Sequence, residues 1–209
     1  MTDAWRADAV AWWDSVAWHD YEKAYGDQPG DRTRLLQAAD WSTRVLDITP
    51  EPIAILRRMR KGRRSEIAAG LKRWTPFGAT ALSWAMDAYV DLHQAVYRMP
   101  RPPLTYTIQA QWVDAGTAHP VALASRGGHG IEAAALFIIF GTWAYYASSV
   151  TTTVNATATA VWTGVLECKR RGVTTLELGW QGYASDAKGQ AVEHYKRGFG
   201  GVDVPARLP

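Results

Sequence analysis

The chain has 209 residues, enough to bury a sizeable core in one domain, or in one and part of a second. Apolar residues make up 47% and charged residues 21%, with a net charge of +3; this is the composition of a globular protein and does not by itself demand a nucleic-acid partner. One cysteine, Cys168, excludes an intrachain disulfide and a Cys-rich zinc site. No apolar run reaches the ~20 residues of a membrane helix and no signal-peptide pattern opens the chain, so the expectation is a cytoplasmic protein without membrane insertion.

Residues 4–25 are predicted helical, with Trp5, Ala9, Trp12, Val16 and Ala17 near one face, and Gly26 to Gly30 ends that element. Five of the eleven tryptophans precede residue 42, and large rings filling a small core account for them. A surface that stacks bases or sugars is the alternative. Trp12 and Trp13 are expected to diverge, one facing the core and one exposed or at an interface, which leaves room for a homodimer through this segment. A short helix over 31–40 precedes a strand from Trp41 to Ile48.

Thr49 as N-cap and Pro50 at the first helical position predict a helix over 50–73, with a break at Gly62. It carries Arg57, Arg58, Arg60, Lys61, Arg63, Arg64, Lys72 and Arg73 within 17 residues. Such a cluster suits phosphates, which guanidinium forks and ammonium charges both bind; a solvated helix face is the plainer account. A second helix over 79–98 places Leu82, Met86, Tyr89, Val90, His93 and Tyr97 in one stripe, and Pro100 to Pro103 stops it. Leu104 to Val113 reads as strand or helix. Strands over 119–126 and 131–140 join through the turn 127–130, and Gly141 separates the second from a strand over 142–148. A polar loop, Ser148 to Thr153, leads to a helix beginning near Asn155 and running to Arg171, then to a strand over 173–179. A polar loop over 180–189 and a closing helix through Tyr195 to Gly201 complete the chain. A helix between two short strands of one sheet implies a parallel crossover, whose strand ends form the crevice where α/β folds bind ligands.

The nucleophile elbow, the phosphate loop and a dinucleotide fingerprint are absent, and the five histidines lack metal-ligand spacing, so no metal is expected. The basic segment Arg57 to Lys72, the strand pair Ala133 to Tyr146, the strand end Leu176-Glu177-Leu178-Gly179 and the closing Tyr195-Lys196-Arg197-Gly198-Phe199-Gly200-Gly201 together resemble the FemABX branch of the Gcn5-related N-acetyltransferase (GNAT) superfamily, over about residues 50–202. The resemblance implies an α/β (α+β) fold, a GNAT-like central mixed sheet flanked by helices. A Trp-rich helical extension and first strand would occupy 1–48 and the acyltransferase domain 49–209. Glu177 stands where Asp is usual, Trp180 where a second glycine is common, and Ser148 to Asn155 replaces the acetyl-CoA pyrophosphate loop.

That family moves amino acids from aminoacyl-tRNA to amines, so the resemblance implies an amide-forming acyltransferase. Its donor would be aminoacyl-tRNA rather than acetyl-CoA, with no bound cofactor and a small amine as acceptor. Acyl modification of a nucleobase, a catalytically inert nucleic-acid-binding protein and a dimeric structural protein are the rival readings. Ester aminolysis needs a charge for the oxyanion, a group for the proton and surfaces for both substrates. Lys196 is the candidate for the charge. Glu177 would orient or deprotonate the amine, unless it pairs structurally with an arginine. Tyr146 would position substrate, unless it is core. Arg63 and Arg64 would meet carrier phosphates, Ser149 and Asn155 would donate hydrogen bonds at the helix start, Tyr145 would bind substrate, and Trp180, Tyr183 and Asp186 would recognise the acceptor.

Overall fold

A seven-stranded sheet organises the chain. In this computed structural model, residues 4–32, 34, 41–77, 82–97, 100–127, 130–181 and 187–205 are described. The strands are β1 (Ser42–Asp47), β2 (Trp74–Phe77), β3 (Ala118–Ser125), β4 (Ile131–Phe140), β5 (Trp143–Thr151), β6 (Thr175–Gln181) and β7 (Val202–Pro205), in the order β2-β3-β4-β5-β6-β1-β7. Every pairing is antiparallel except β5 with β6, which helix α7 (Ala156–Arg170) joins as a parallel crossover. β1, from the N-terminal segment, lies between β6 and β7 in this same sheet.

Two apolar layers cover the sheet because its strands alternate. One face presents Leu46, Ala133, Ala135, Phe137, Ala144, Leu176 and Leu178 to α7, to α3 (Pro52–Arg58) and to α4 (Lys61–Arg73). The opposite face presents Val45, Ala134, Leu136, Ile138 and Trp143 to α1 (Ala4–Trp13), α2 (Val16–Tyr25), α5 (Leu82–Val96) and α6 (Pro103–Asp114). The segment that reads as strand or helix is thus helix, and Pro103 occupies its first turn.

The segment 4–25 is two helices, not one. Ser15 accepts from the Trp18 N–H at 3.2 Å and starts α2 afresh. α2 therefore folds back over α1, and Trp12 and Trp13 are both buried, 2% and 8% exposed. Trp12 meets Trp112 and Phe140, while Trp13 meets Trp18, Trp143 and Tyr145. A helix covered on two sides buries neighbours ~100° apart. Trp12 and Trp13 are both core, and an interface built on an exposed one of them is removed.

The basic segment begins at Pro52, not Pro50, because Thr49 turns back to hydrogen-bond Asp47. It breaks at Met59 and Arg60 rather than at Gly62: Met59 is extended and buried, and the Arg60 N–H donates to Gly198 O. Ser148 to Thr151 is not loop but the end of β5, paired with β4 from Ser148↔Leu136 to Thr151↔Ala133. Its polar residues mislead because β6 no longer covers that edge of β5, so the strand there does not read as apolar. The β6–α8 connection over 182–186 lies outside the described residues; α8 spans Ala187–Arg197.

α7 crosses β4 at Gly164, where an added Cβ would fall 2.1 Å from the Phe137 ring. Gly164→Ala improves helix propensity yet is expected to destabilise the protein by about 1–3 kcal/mol, because the ring is fully buried and must shift. Urea unfolding of the variant checks this, and a gain in midpoint would contradict the packing.

Candidate active site at the fork of two parallel strands

β5 and β6 pair over three residues, Trp143↔Thr175, Ala144↔Leu176 and Tyr145↔Glu177, and then part. β5 continues to Thr151 and β6 to Gln181. A fork between neighbouring strands opens a notch with backbone polar groups along both walls. β6 is re-aimed there by a bulge at Leu178 against Arg44 and Val45 of β1, followed by Gly179 with φ +83°. A side chain at Gly179 would lie 3.2 Å from Tyr145 Oη and 3.3 Å from Lys196 Nζ, so these two groups converge over that glycine. Lys196 Nζ also donates to the Trp180 carbonyl at 3.2 Å.

Glu177 is 4% exposed. It accepts from Thr43 Oγ1 at 2.7 Å on one oxygen and from Trp143 Nε1 at 3.0 Å on the other. Burial pushes its carboxyl above the usual carboxylate range, opposed by those two hydrogen bonds and by the Lys196 charge. Burial lowers the Lys196 ammonium from 10.5 to about 8, and Glu177 and Glu193 pull it back up. The cations whose charge reaches Glu177 are Lys196 and Arg6, beside its two neutral hydrogen-bond donors. Nothing in the sequence pattern links Thr43 or Trp143 to Glu177, because the contacts cross 134 and 34 residues.

Of the three proposed catalytic residues, Lys196 and Glu177 come together, while Tyr146 does not join them. Tyr146 lies on the opposite face of β5, packed against the α7 side, and its hydroxyl donates to Ser149 Oγ. Burial raises the Tyr146 hydroxyl far above its ordinary value. Tyr145, on the face of Trp13 and Trp143, is the tyrosine at the fork. Asn155 has φ +70° at the α7 N-cap position and its side chain makes no capping hydrogen bond there. Trp180 packs edge-on against Trp41. Tyr183 and Asp186 lie outside the described residues.

The arginines are sorted differently from the expectation. Arg63 stacks over the Tyr195 and Phe199 rings at 4.1 and 4.6 Å, donates to Tyr195 O at 3.0 Å and pairs with Glu66. Arg64 donates to Met59 O at 2.6 Å, tying down a carbonyl where α3 ends. Arg63 thus ties α4 to α8, and Arg64 ties α4 to the end of α3. A cavity of about 640 Å³ instead gathers Arg44, Arg58, Arg60 and Arg197 beside Phe199 and Gly200. Asp47 pairs with Arg58 and Asp203 with Arg44, so four guanidinium groups stand against two carboxylates. Among the described residues no three His, Cys, Asp or Glu side chains cluster as metal ligands, and no helix is long and apolar enough to cross a membrane.

No family model and no curated protein matches the sequence. Solved structures do match in shape. FemX superposes with a TM-score of 0.65 at 11% identity, over 78% of this chain and 59% of that one. The C-terminal domain of a putative lysylphosphatidylglycerol synthetase from Agrobacterium fabrum gives 0.51 at 11% identity, over 79% and 58%. The L-PGS of Bacillus licheniformis gives 0.51 at 11% identity, over 78% and 57%. The fold is GNAT-like and similar to that of FemX. This chain spans somewhat under three fifths of the length of those structures. The fork of β5 and β6 is the crevice that the crossover topology creates at strand ends.

Titration of 15N-labelled Lys196 by NMR is expected to give a midpoint near 8. Glu177→Gln is expected to move it lower, since the lost carboxylate favours the ammonium. A midpoint near 10.5 in the native protein would mean that Nζ is solvated and not held at the fork.

Proposed function

We propose that the chain is an acyltransferase that forms an amide at the β5–β6 fork, moving an aminoacyl group from aminoacyl-tRNA to a small amine. The observation that carries this is the convergence of Lys196 Nζ and Tyr145 Oη over Gly179, beside the buried Glu177. Attack of the amine nitrogen on the ester carbonyl forms the C–N bond and places a negative charge on the carbonyl oxygen. A lysine ammonium and a tyrosine hydroxyl at one point are the donors such an oxyanion requires. Collapse breaks the ester C–O bond; Lys196 gives its proton to the leaving ribose oxygen and regains one from the nitrogen that attacked. An ammonium with a midpoint near 8 suits that exchange. Glu177, held by one hydrogen bond on each oxygen, keeps Lys196 charged and in place in this reading.

The start of α7 favours a carrier other than coenzyme A. Thr153 Oγ1 donates to Glu132 at 2.8 Å, and hydrogen bonds from Trp74 and Thr153 hold that carboxyl below its ordinary range. A fixed anion beside a helix N-terminus opposes a diphosphate there. The phosphate role given at first to Arg63 and Arg64 passes to the four-arginine cavity, where Arg197 follows Lys196 directly on α8.

The decisive experiment offers the protein a mixed pool of charged tRNA and, separately, labelled acetyl-CoA, with a panel of small amines and nucleic acids. Label from tRNA in an amine is expected. Label from acetyl-CoA alone would replace the donor, and label in nucleic acid would turn the reading to nucleobase modification. Lys196→Met is expected to lower turnover by about 10²–10³-fold with the fold kept, as loss of a charge-stabilising donor does. Turnover of the native enzyme is expected to fall as pH rises through about 8, because the ammonium is the working form. Arg58→Ala with Arg60→Ala is expected to weaken tRNA binding and flatten its salt slope by about 1.5–2. An unchanged slope would return those arginines to the solvated surface.

A further inference from the structure

Arg101 is a half-buried cation for which no carboxylate of the described residues serves as partner. It sits in Pro100-Arg101-Pro102-Pro103 between α5 and α6, where three prolines restrict the backbone. Its Nη1 donates to Tyr89 Oη at 2.7 Å, its Nη2 to Ser148 Oγ at 3.1 Å, and its backbone N–H to Tyr106 Oη at 3.2 Å. The groups that act on it directly are uncharged at neutral pH; the nearest ion pair, Arg32 with Asp27, lies beyond Tyr21 and Tyr25. Burial raises the Tyr89 hydroxyl and raises that of Tyr21 to about 12. Burial and Arg101 itself lower His93 to about 4, and its Nδ1 lies 2.9 Å from Tyr106 Oη. A guanidinium has five N–H groups, and two are used. Removing a permanent charge from water without a counter-charge is costly, so the arrangement is one that a bound anion would relieve.

Its place on the sheet connects it to the fork. The β4–β5 ladder shifts register at Ala147, which turns Ser148 to the face that carries Trp143 and Tyr145. Ser148 lies three residues beyond Tyr145, about 10 Å along the strand. That stretch of β5 is the part that β6 no longer covers. Tyr25 and Tyr97, both partly exposed, stand near this end: Tyr25 is within electrostatic reach of Arg101 and Tyr97 Oη donates to Ser149 O at 3.4 Å.

We propose that Arg101, with Ser148 and Tyr89, forms an anion subsite that takes a carboxylate or phosphate group of a ligand lying along β5. If the transfer reading holds, that ligand is the acceptor, an amine whose anionic group lies about 10 Å from the reacting nitrogen. The subsite itself does not depend on turnover.

The test is thermal unfolding of the full chain in chloride buffer at constant ionic strength, with inorganic phosphate or acetate replacing chloride. One or both anions are expected to raise the midpoint saturably, as binding to the native state alone does. A shift with phosphate only assigns a phosphoryl ligand, and one with acetate only a carboxylate. The shift is read in full-length Arg58→Gln with Arg60→Gln, which removes phosphate binding in the separate arginine cavity, and is expected to persist there. Adding Arg101→Gln to that variant is expected to abolish it. Adding Arg101→Lys instead, which keeps the charge and loses the planar guanidinium donors, is expected to need at least about tenfold more anion. No shift in the Arg58 and Arg60 variant, or one retained after Arg101→Gln is added, would overturn the proposal. Because no donor is present, these outcomes are independent of whether transfer is observed.

Discussion

Three paired residues set the geometry on which the site depends. Trp143 to Tyr145 run beside Thr175 to Glu177, and beyond them β5 and β6 separate. Parallel neighbours that stay paired leave no opening, and neighbours that part leave backbone donors and acceptors to be satisfied by other groups. Here the Trp180 carbonyl is met by Lys196 Nζ, so the same separation that opens the notch also recruits the cation into it. The bulge at Leu178 and the positive φ of Gly179 turn β6 so that no side chain blocks the approach of Tyr145 and Lys196.

The electrostatics follow from burial. Glu177 and Lys196 are each pushed toward neutrality by loss of water, and each holds the other charged. Between pH 8 and about 10.4 the folded protein holds fewer protons at Lys196 than the unfolded chain, so this group makes stability rise with pH across that window. At neutral pH the lysine charge is a stability cost carried at the fork. A cost of that kind, at a point where a tyrosine hydroxyl also converges, fits a site built for a transient negative charge better than one built for packing.

Much of the fold was legible because apolar periodicity and glycine turns are local signals. The β3–β4 hairpin, the crossover helix after Asn155 and the strand after Arg171 were readable within a residue or two. Legibility failed where context decides. Ser148 to Thr151 looks like loop because half of its surroundings are open, and the segment 4–25 looks like one helix because Ser15 is a weak break until α2 folds back. The family resemblance named Lys196 and Glu177 as candidates, and the structure brings these two together. The choice between Tyr145 and Tyr146 was not legible, since adjacent strand residues point to opposite faces and only the packing of α1 and α7 says which face carries Lys196. Arg101 gave no signal beyond its prolines, because the lack of a carboxylate partner is a property of the packed surroundings.

The basic segment shows why a charge cluster cannot be read as a unit. Arg63 and Arg64 face inward: one stacks on Tyr195 and Phe199, the other ties down carbonyls at the end of α3. Arg58 and Arg60 face the cavity that Arg197 also lines. Arg63 places α8, and α8 then presents successive residues about 100° apart, Lys196 to the fork and Arg197 to the cavity. The two halves of the cluster are thus coupled through one helix. If phosphates bind in the cavity, their position relative to Lys196 is governed by Arg63, which supports the cavity wall from behind through Phe199. Loss of the Arg63 stack would let α8 shift, moving Lys196 and Arg197 together, so under the proposed transfer reaction its cost would fall on turnover and carrier affinity alike rather than on charge attraction alone.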